Sequence, residues 1–306
     1  MAANVQSMGR GASSWWFRQQ RRAAPYVFIA PFFILFAAFF VYPIGYSLLL
    51  SLYKQVGLST PQWVGLQNYA ALPKDPRFLR SIWNTTYFAL GSVFVQLPIA
   101  FALALAFDSR FARRLTHAYR IGFFVPVLTS AVVVSLIWVL VLDKDYGMLN
   151  AGLQAIGLPR IPWLQSTRWA MPAIIILGVW TWSGFNAFYF LAGLQSIPDE
   201  LKEAAMIDGA NRWQLLTRIT VPLLRPVTMF VVIQSIIGSY GLFAQPLLLT
   251  GGGPADATLT IVMYLYQNGF QYFKLGYASA IGYSLVVIVF ALSAINLFFF
   301  GAFRED

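Results

Sequence analysis

The sequence predicts an all-α membrane protein with six transmembrane helices, and three observations predict it. Of 306 residues, 58% are hydrophobic and only 10% are charged, against roughly 25% charged in soluble domains. The charges are clumped: no Asp, Glu, Lys or Arg occurs from Ser81 to Phe107, from Trp169 to Pro198, or from Pro226 to Ala255. Each gap exceeds the roughly 20 apolar residues a helix needs to cross about 30 Å of hydrocarbon. Finally, the net charge of +10 comes from basic residues that flank the apolar runs, as loops retained on the cytoplasmic side would carry them.

Residues 1–25 form an N-terminal segment with a basic lead, Arg18, Arg21 and Arg22. The apolar run behind it, Tyr26 to Leu52, is longer than the roughly 7–15 residues of a signal-peptide core and has no evident small-x-small cleavage site. It is a retained first span, 26–50. Span two, 82–107, follows "WVGLQNY" (63–69) and "FLRSIWNTTYF" (78–88), the latter predicted as an interfacial helix leading into it. Spans three to six cover 119–142, 169–193, 226–249 and 277–301. Pro31, Pro43, Pro98, Pro126, Pro172 and Pro246 lie inside spans. Neighbouring helices must take up the carbonyls these prolines free, and kinked helices around a pathway are expected. Between spans five and six, "TGGGP" (250–254) precedes "LTIVMYLYQNGFQYF" (259–273), which is too short to cross. Its Tyr264, Tyr266, Tyr272 and Phe273 suit an aromatic belt or a re-entrant segment; the plainer expectation is a helix lying on the outer surface.

An even number of spans puts both termini on one side. Of the 21 Lys and Arg, 13 lie with the N-terminus, the 108–118 loop (with Arg120 at its edge), the 194–225 loop and the C-terminus. These segments are therefore expected in the cytoplasm. The basic residues form no domain of their own, so nucleic acid is not a partner. There is no cysteine and a single histidine, His117, which excludes disulfides, thiolate chemistry and paired-histidine metal sites. An intramembrane enzyme would need a metal constellation, a G-x-S-x-G elbow or an acid–base pair, and none is present. Apart from boundary residues such as Asp108, Asp143 and Asp145, the spans hold no ionisable side chain to relay protons, although a sodium site of carbonyls and hydroxyls stays open. No G-x-x-x-x-G-K-[ST] loop exists either. Any uphill transport must draw its energy mechanically from another polypeptide.

The 194–225 loop is the candidate contact for one. Ser196, three residues before Asp199, with Pro198 in the first turn, suggests a capped helix running to about Asp208. Leu201, Ala204, Ala205 and Asp208 share a narrow small-residue face, Glu203 offers a charge, and Gly209 stops the helix. A second helix, about 212–220, carries Trp213, Leu216 and Ile219. By physics alone this is either an amphipathic helix resting on the membrane or a docking lever.

"EAAMIDGANRWQLLTRITVPLLRP" (203–226) resembles the EAA loop of ABC importer permeases at Glu203, Ala204, Ala205, Gly209, Ile219 and Pro222. "PFFILFAAFFVYPIGYSLLLS", "WVGLQNY", "FFVPVLTSAVVVSLIW", "AGLQSIP" and "LLTGGGP" extend the likeness to the larger permease of binding-protein-dependent sugar importers of the maltose and glycerol-phosphate kind. The resemblance implies a type I ABC importer permease fold in a bacterial inner membrane. It implies partners too: a second homologous permease, two ATP-binding subunits and an extracytoplasmic sugar-binding protein. ATP and Mg would sit on the ATPase subunits, with no cofactor on this chain. Glu203, Ala204, Ala205, Asp208 and Gly209 would form the coupling helix.

Candidate substrate contacts lie on spans four and five. Trp182 and Asn186 are four apart on one helical face with Tyr189 below, an aromatic plate beside an amide, which suits a sugar's C–H faces and hydroxyls. The resemblance adds Trp180, matched to a substrate-contacting tryptophan, and Ser235 and Ser239, matched to polar lining positions. Tyr240 and Gln245 complete the set. Leu242, Val127 and Ala131 stand where the maltose type has polar groups, which puts maltose itself in doubt. Without a fixed charge, the spans disfavour charged cargo such as amino acids, phosphate or glycerol-phosphate.

Overall fold

The computed structural model describes residues 24–108 and 116–300, with side chains from 122 onward in the second stretch. The expected cytoplasmic segment 1–25, the 108–118 loop and the end of the chain from 301 lie largely outside the described residues. The chain opens with α1 (Ala24–Leu50). A small antiparallel ribbon, β1 (Tyr53–Lys54) and β2 (Gln62–Trp63), and the short α2 (Gln67–Ala71) lead to α3 (Pro76–Asp108). Then come α4 (Thr116–Leu128), α5 (Ala131–Val141), α6 (Met148–Ala155), α7 (Ala170–Gln195), α8 (Asp199–Ile207) and α9 (Arg212–Leu223). The chain closes with α10 (Arg225–Tyr240), α11 (Ala244–Thr250), α12 (Ile261–Tyr266) and α13 (Leu275–Phe299). Helices α1, α3, α7 and α13 are each long and apolar enough to cross a membrane, and two bent pairs raise the number to as many as six. This is a multi-pass membrane protein.

Small residues let α3 and α7 approach closely, as packing without a hydrophobic driving force requires. Ala100, Ala104 and Ala187 are fully buried in one cluster with Phe190 and Leu194. A Cβ at Gly178 would lie 3.0 Å from the Phe88 ring. Gly184 receives the backbone of α4 so closely that any side chain there would collide with the Phe123 carbonyl.

Several elements differ from the expectations. Residues 78–88 form no separate interfacial helix; α3 runs unbroken from Pro76. The single span over 119–142 is replaced by two helices meeting at 112°. Ser130 leaves the helical region (ψ 131°) and caps α5 by accepting the Val132 N–H, just beyond Pro126. The span over 226–249 is interrupted between Tyr240 and Ala244. In a continuous helix the Pro246 ring would press on the Leu242 carbonyl four residues back. That carbonyl instead accepts the Thr260 hydroxyl at 2.8 Å. Ser196 does not cap α8: its hydroxyl donates to the Gly193 carbonyl at the end of α7, and Pro198 occupies the N-cap.

The 259–273 segment is no surface helix. Leu259, Ile261, Met263 and Tyr264 are buried against Leu72, Phe78 and Ile281. Polar groups of α3 fix its entry: Asn84 donates to the carbonyls of Asp256 and Leu259, and Thr85 accepts the Ile261 N–H. Arg77 grips the Asp256 carboxylate with two hydrogen bonds of 2.8 and 2.9 Å. The grip holds Ala255 and Asp256 at positive φ, 48° and 57°, a region non-glycine residues seldom occupy.

Candidate functional site

Three helices and a helix break enclose a cavity of about 380 Å³. From α3 come Phe88, Ser92 and Gln96; from α7, Trp182, Phe185, Asn186 and Tyr189. The wall is completed by α10, with Gln234, Ser235 and Ser239, by Gly241 and Leu242 at the break, and by Gln245 of α11. The break matters to the site because it turns Leu242 and Gln245 toward one chamber instead of continuing the α10 face.

Polar groups meet across the helices. Asn186 donates to Ser235 Oγ at 3.2 Å, and the Ser92 and Ser239 hydroxyls lie 3.4 Å apart. Ser92 also donates to the Phe88 carbonyl, the usual local outlet for a hydroxyl in an apolar helix. Trp182, Phe185 and Tyr189 form an edge-to-face series along α7, with centroids 6.0 and 5.2 Å apart. Among the described residues no charged side chain lines the chamber. Flat rings, amides and hydroxyls without a fixed charge are the equipment for a neutral polyhydroxyl ligand, whose C–H faces rest on rings while its hydroxyls both donate and accept.

Trp182, Asn186, Ser235, Ser239 and Gln245 thus converge on one chamber. Trp180 lies elsewhere, its ring 5.7 Å from Trp138 of α5. Tyr240 is buried, with its hydroxyl 2.8 Å from that of Thr86, beside an apolar crevice of about 510 Å³ among α3, α10 and α13. The α3 contribution was missed in the sequence. Its signal was there: Ser92 and Gln96 are a polar pair four residues apart in a run without a single charge. Recognising it as part of the site requires knowing that α3 packs on α7.

The protruding helix α8 buries none of its residues within the chain. Leu201, Met206, Ile207 and Trp213 are exposed. Gly209 ends α8 at φ 85°, with Ala210 N–H bonding Ala205 O and Gly209 N–H bonding Met206 O, the paired bonds of a glycine-terminated helix. Asn211 then starts α9 in a capping box with Gln214. The corner between α8 and α9 is closed at both ends by hydrogen bonds.

Similar proteins agree with this architecture. The arabinooligosaccharides transport system permease protein AraP of Bacillus subtilis (strain 168) is 36% identical over 288 residues, 94% of this chain and 91% of its own length. The lactose transport system permease protein LacF of Rhizobium radiobacter is 35% identical, covering 89% and 92%. A subunit in the crystal structure of a bacterial alginate ABC transporter, in complex with an alginate pentasaccharide-bound periplasmic protein, superposes with a TM-score of 0.82 at 25% identity. It covers 95% of this chain and 98% of its own. Residues 96–304 match the binding-protein-dependent transport system inner membrane components, and the chain belongs to that family.

Proposed function

We propose that the chain is the permease subunit of an ATP-driven importer for a neutral sugar or short oligosaccharide. The observation that carries the reading is the uncharged, ring- and amide-lined chamber, built by helices on either side of the exposed α8 corner. In this reading the bent pairs complete six spans, and both termini and α8 face the cytoplasm. A second, related permease closes the other side of the pathway, and an external binding protein delivers the sugar. Two ATPase subunits hold ATP and Mg and receive α8 in a cleft. Leu201, Met206 and Ile207 supply apolar contact there, while Glu203 and Asp208 supply charge. Carbohydrate permeases among the relatives support the cargo class.

The test is uptake of labelled sugars into proteoliposomes containing the assembled complex. Transport of neutral saccharides should require both internal ATP and the external binding protein. Uptake by the chain alone, driven by an ion gradient, would overturn the assignment.

A further inference from the structure

A second polar cavity, of about 450 Å³, lies at the opposite end of the bundle from α8. It forms where the chain leaves α1, where it enters α3 and where it enters α13. Lys54, Lys74 and Lys274 rim it, and all three are exposed. Among the described residues none of them makes an ion pair. The one acid in the wall, Asp75, does not answer their charge. Its Oδ2 accepts the Tyr264 and Tyr277 hydroxyls at 2.5 and 2.6 Å, and its Oδ1 accepts the N–H groups of Arg77 and Phe78.

The chain thus presents three lysine ammonium groups without an ion-pair partner around a preformed hollow, Lys274 lying 5.9 Å from the Tyr272 ring. A carboxylate is the group that pairs with them, and on a polypeptide it is carried by an acidic side chain. A phospholipid would need an apolar slot for its acyl chains, but Val56 and Ala71 are the two aliphatic residues in the wall. We propose that this hollow is a docking socket for an acidic side chain on the external binding protein.

The proposal rests on the importer reading and names the contact through which the partner would be recognised. Charge complementarity at such a rim sets encounter rate and salt dependence. The experiment uses the full complex in nanodiscs and its cognate binding protein, comparing wild type with the triple variant K54Q/K74Q/K274Q. The variant should bind roughly tenfold more weakly with a flatter salt dependence, while ATPase activity without binding protein stays at the wild-type level. Arginine at the three positions should restore affinity, which a merely structural role would not produce. Affinity equal to wild type at low salt would overturn the socket while leaving the importer reading intact. A variant whose defect appears only in membranes of differing anionic lipid content, at unchanged affinity for the binding protein, would also overturn it in favour of a lipid site. If the wild-type complex responds to no external protein at all, it is the importer reading that fails.

Discussion

The Asn186 amide uses one N–H on Ser235 and lines the chamber with what remains. Asn186→Ala is therefore expected to raise the apparent KM for uptake about tenfold, the loss of one or two hydrogen bonds of about 1 kcal/mol each. Assembly and basal ATP hydrolysis should be unchanged; transport kinetics matching wild type would remove the residue from the site. Asn84 illustrates a different role. It is 4% exposed and satisfies two carbonyls at once, those of Asp256 and Leu259. Asn84→Ala removes the amide from both, leaving Asp256 O with the Leu259 N–H alone, and should destabilise the protein by about 2 kcal/mol, read as a lower melting temperature in detergent. An unchanged melting temperature would mean that water replaces the amide at no cost. Spacing alone brings Trp182 and Asn186 together, since residues four apart share a helical face. Separating Trp182 from Trp180 takes the position of α5, whose Trp138 meets the Trp180 ring, and no local pattern contains that.

Among the elements, the charge gaps mark α3, α7 and α13 well, because a crossing helix must be apolar along its whole length. The breaks were not legible. Pro98 sits inside a continuous helix and Pro172 in the first turn of one, where its missing N–H forfeits no bond, whereas Pro246 accompanies a break and Pro126 precedes a bend of 112°. What differs is the position in the helix and, at the break, who takes the freed carbonyl. At Leu242 it is Thr260, 18 residues away in sequence, at the start of α12. The α8 corner is the opposite case, because a glycine at φ 85° leaves its mark in sequence. Gly209→Pro, whose ring demands φ near about −65°, should unlock that corner. The expected result is a complex that hydrolyses ATP without importing sugar, or that loses its ATPase subunits on purification. Glu203→Lys, exposed on the same helix, should do likewise while leaving the helix folded. Normal import by both variants would make α8 a passive surface helix.

At the scale of the whole molecule, Asp75 ties three regions together: the start of α3, α12 through Tyr264 and α13 through Tyr277. Burial would raise its pKa, but the two tyrosine hydroxyls and the backbone N–H groups of Phe78 and Arg77 outweigh this and hold it below the usual value of 3.8. A depressed carboxyl contributes stability above its unfolded pKa and loses it as pH falls through the folded one. The melting temperature should therefore drop as the pH is taken below about 4, and Asp75→Asn should flatten that dependence. Tyr264 works in the other direction. Burial and the Asp75 hydrogen bond push it up to about 12 from 10.0, so its contribution holds at neutral pH and fades as alkali approaches pH 12. A wild-type acid profile as flat as the variant's would show that the knot contributes nothing. The unbroken α3 joins this knot to the chamber. Its 33 residues, at about 1.5 Å each, make a rod of about 50 Å, well beyond the roughly 30 Å of hydrocarbon. Arg77 at its first turn and Ser92 and Gln96 in the chamber wall ride on the same rod, with no loop between them to absorb motion. A tilt of that end by a few degrees swings the chamber wall with it, so the Asp75 knot and the chamber share one stiff mechanical part.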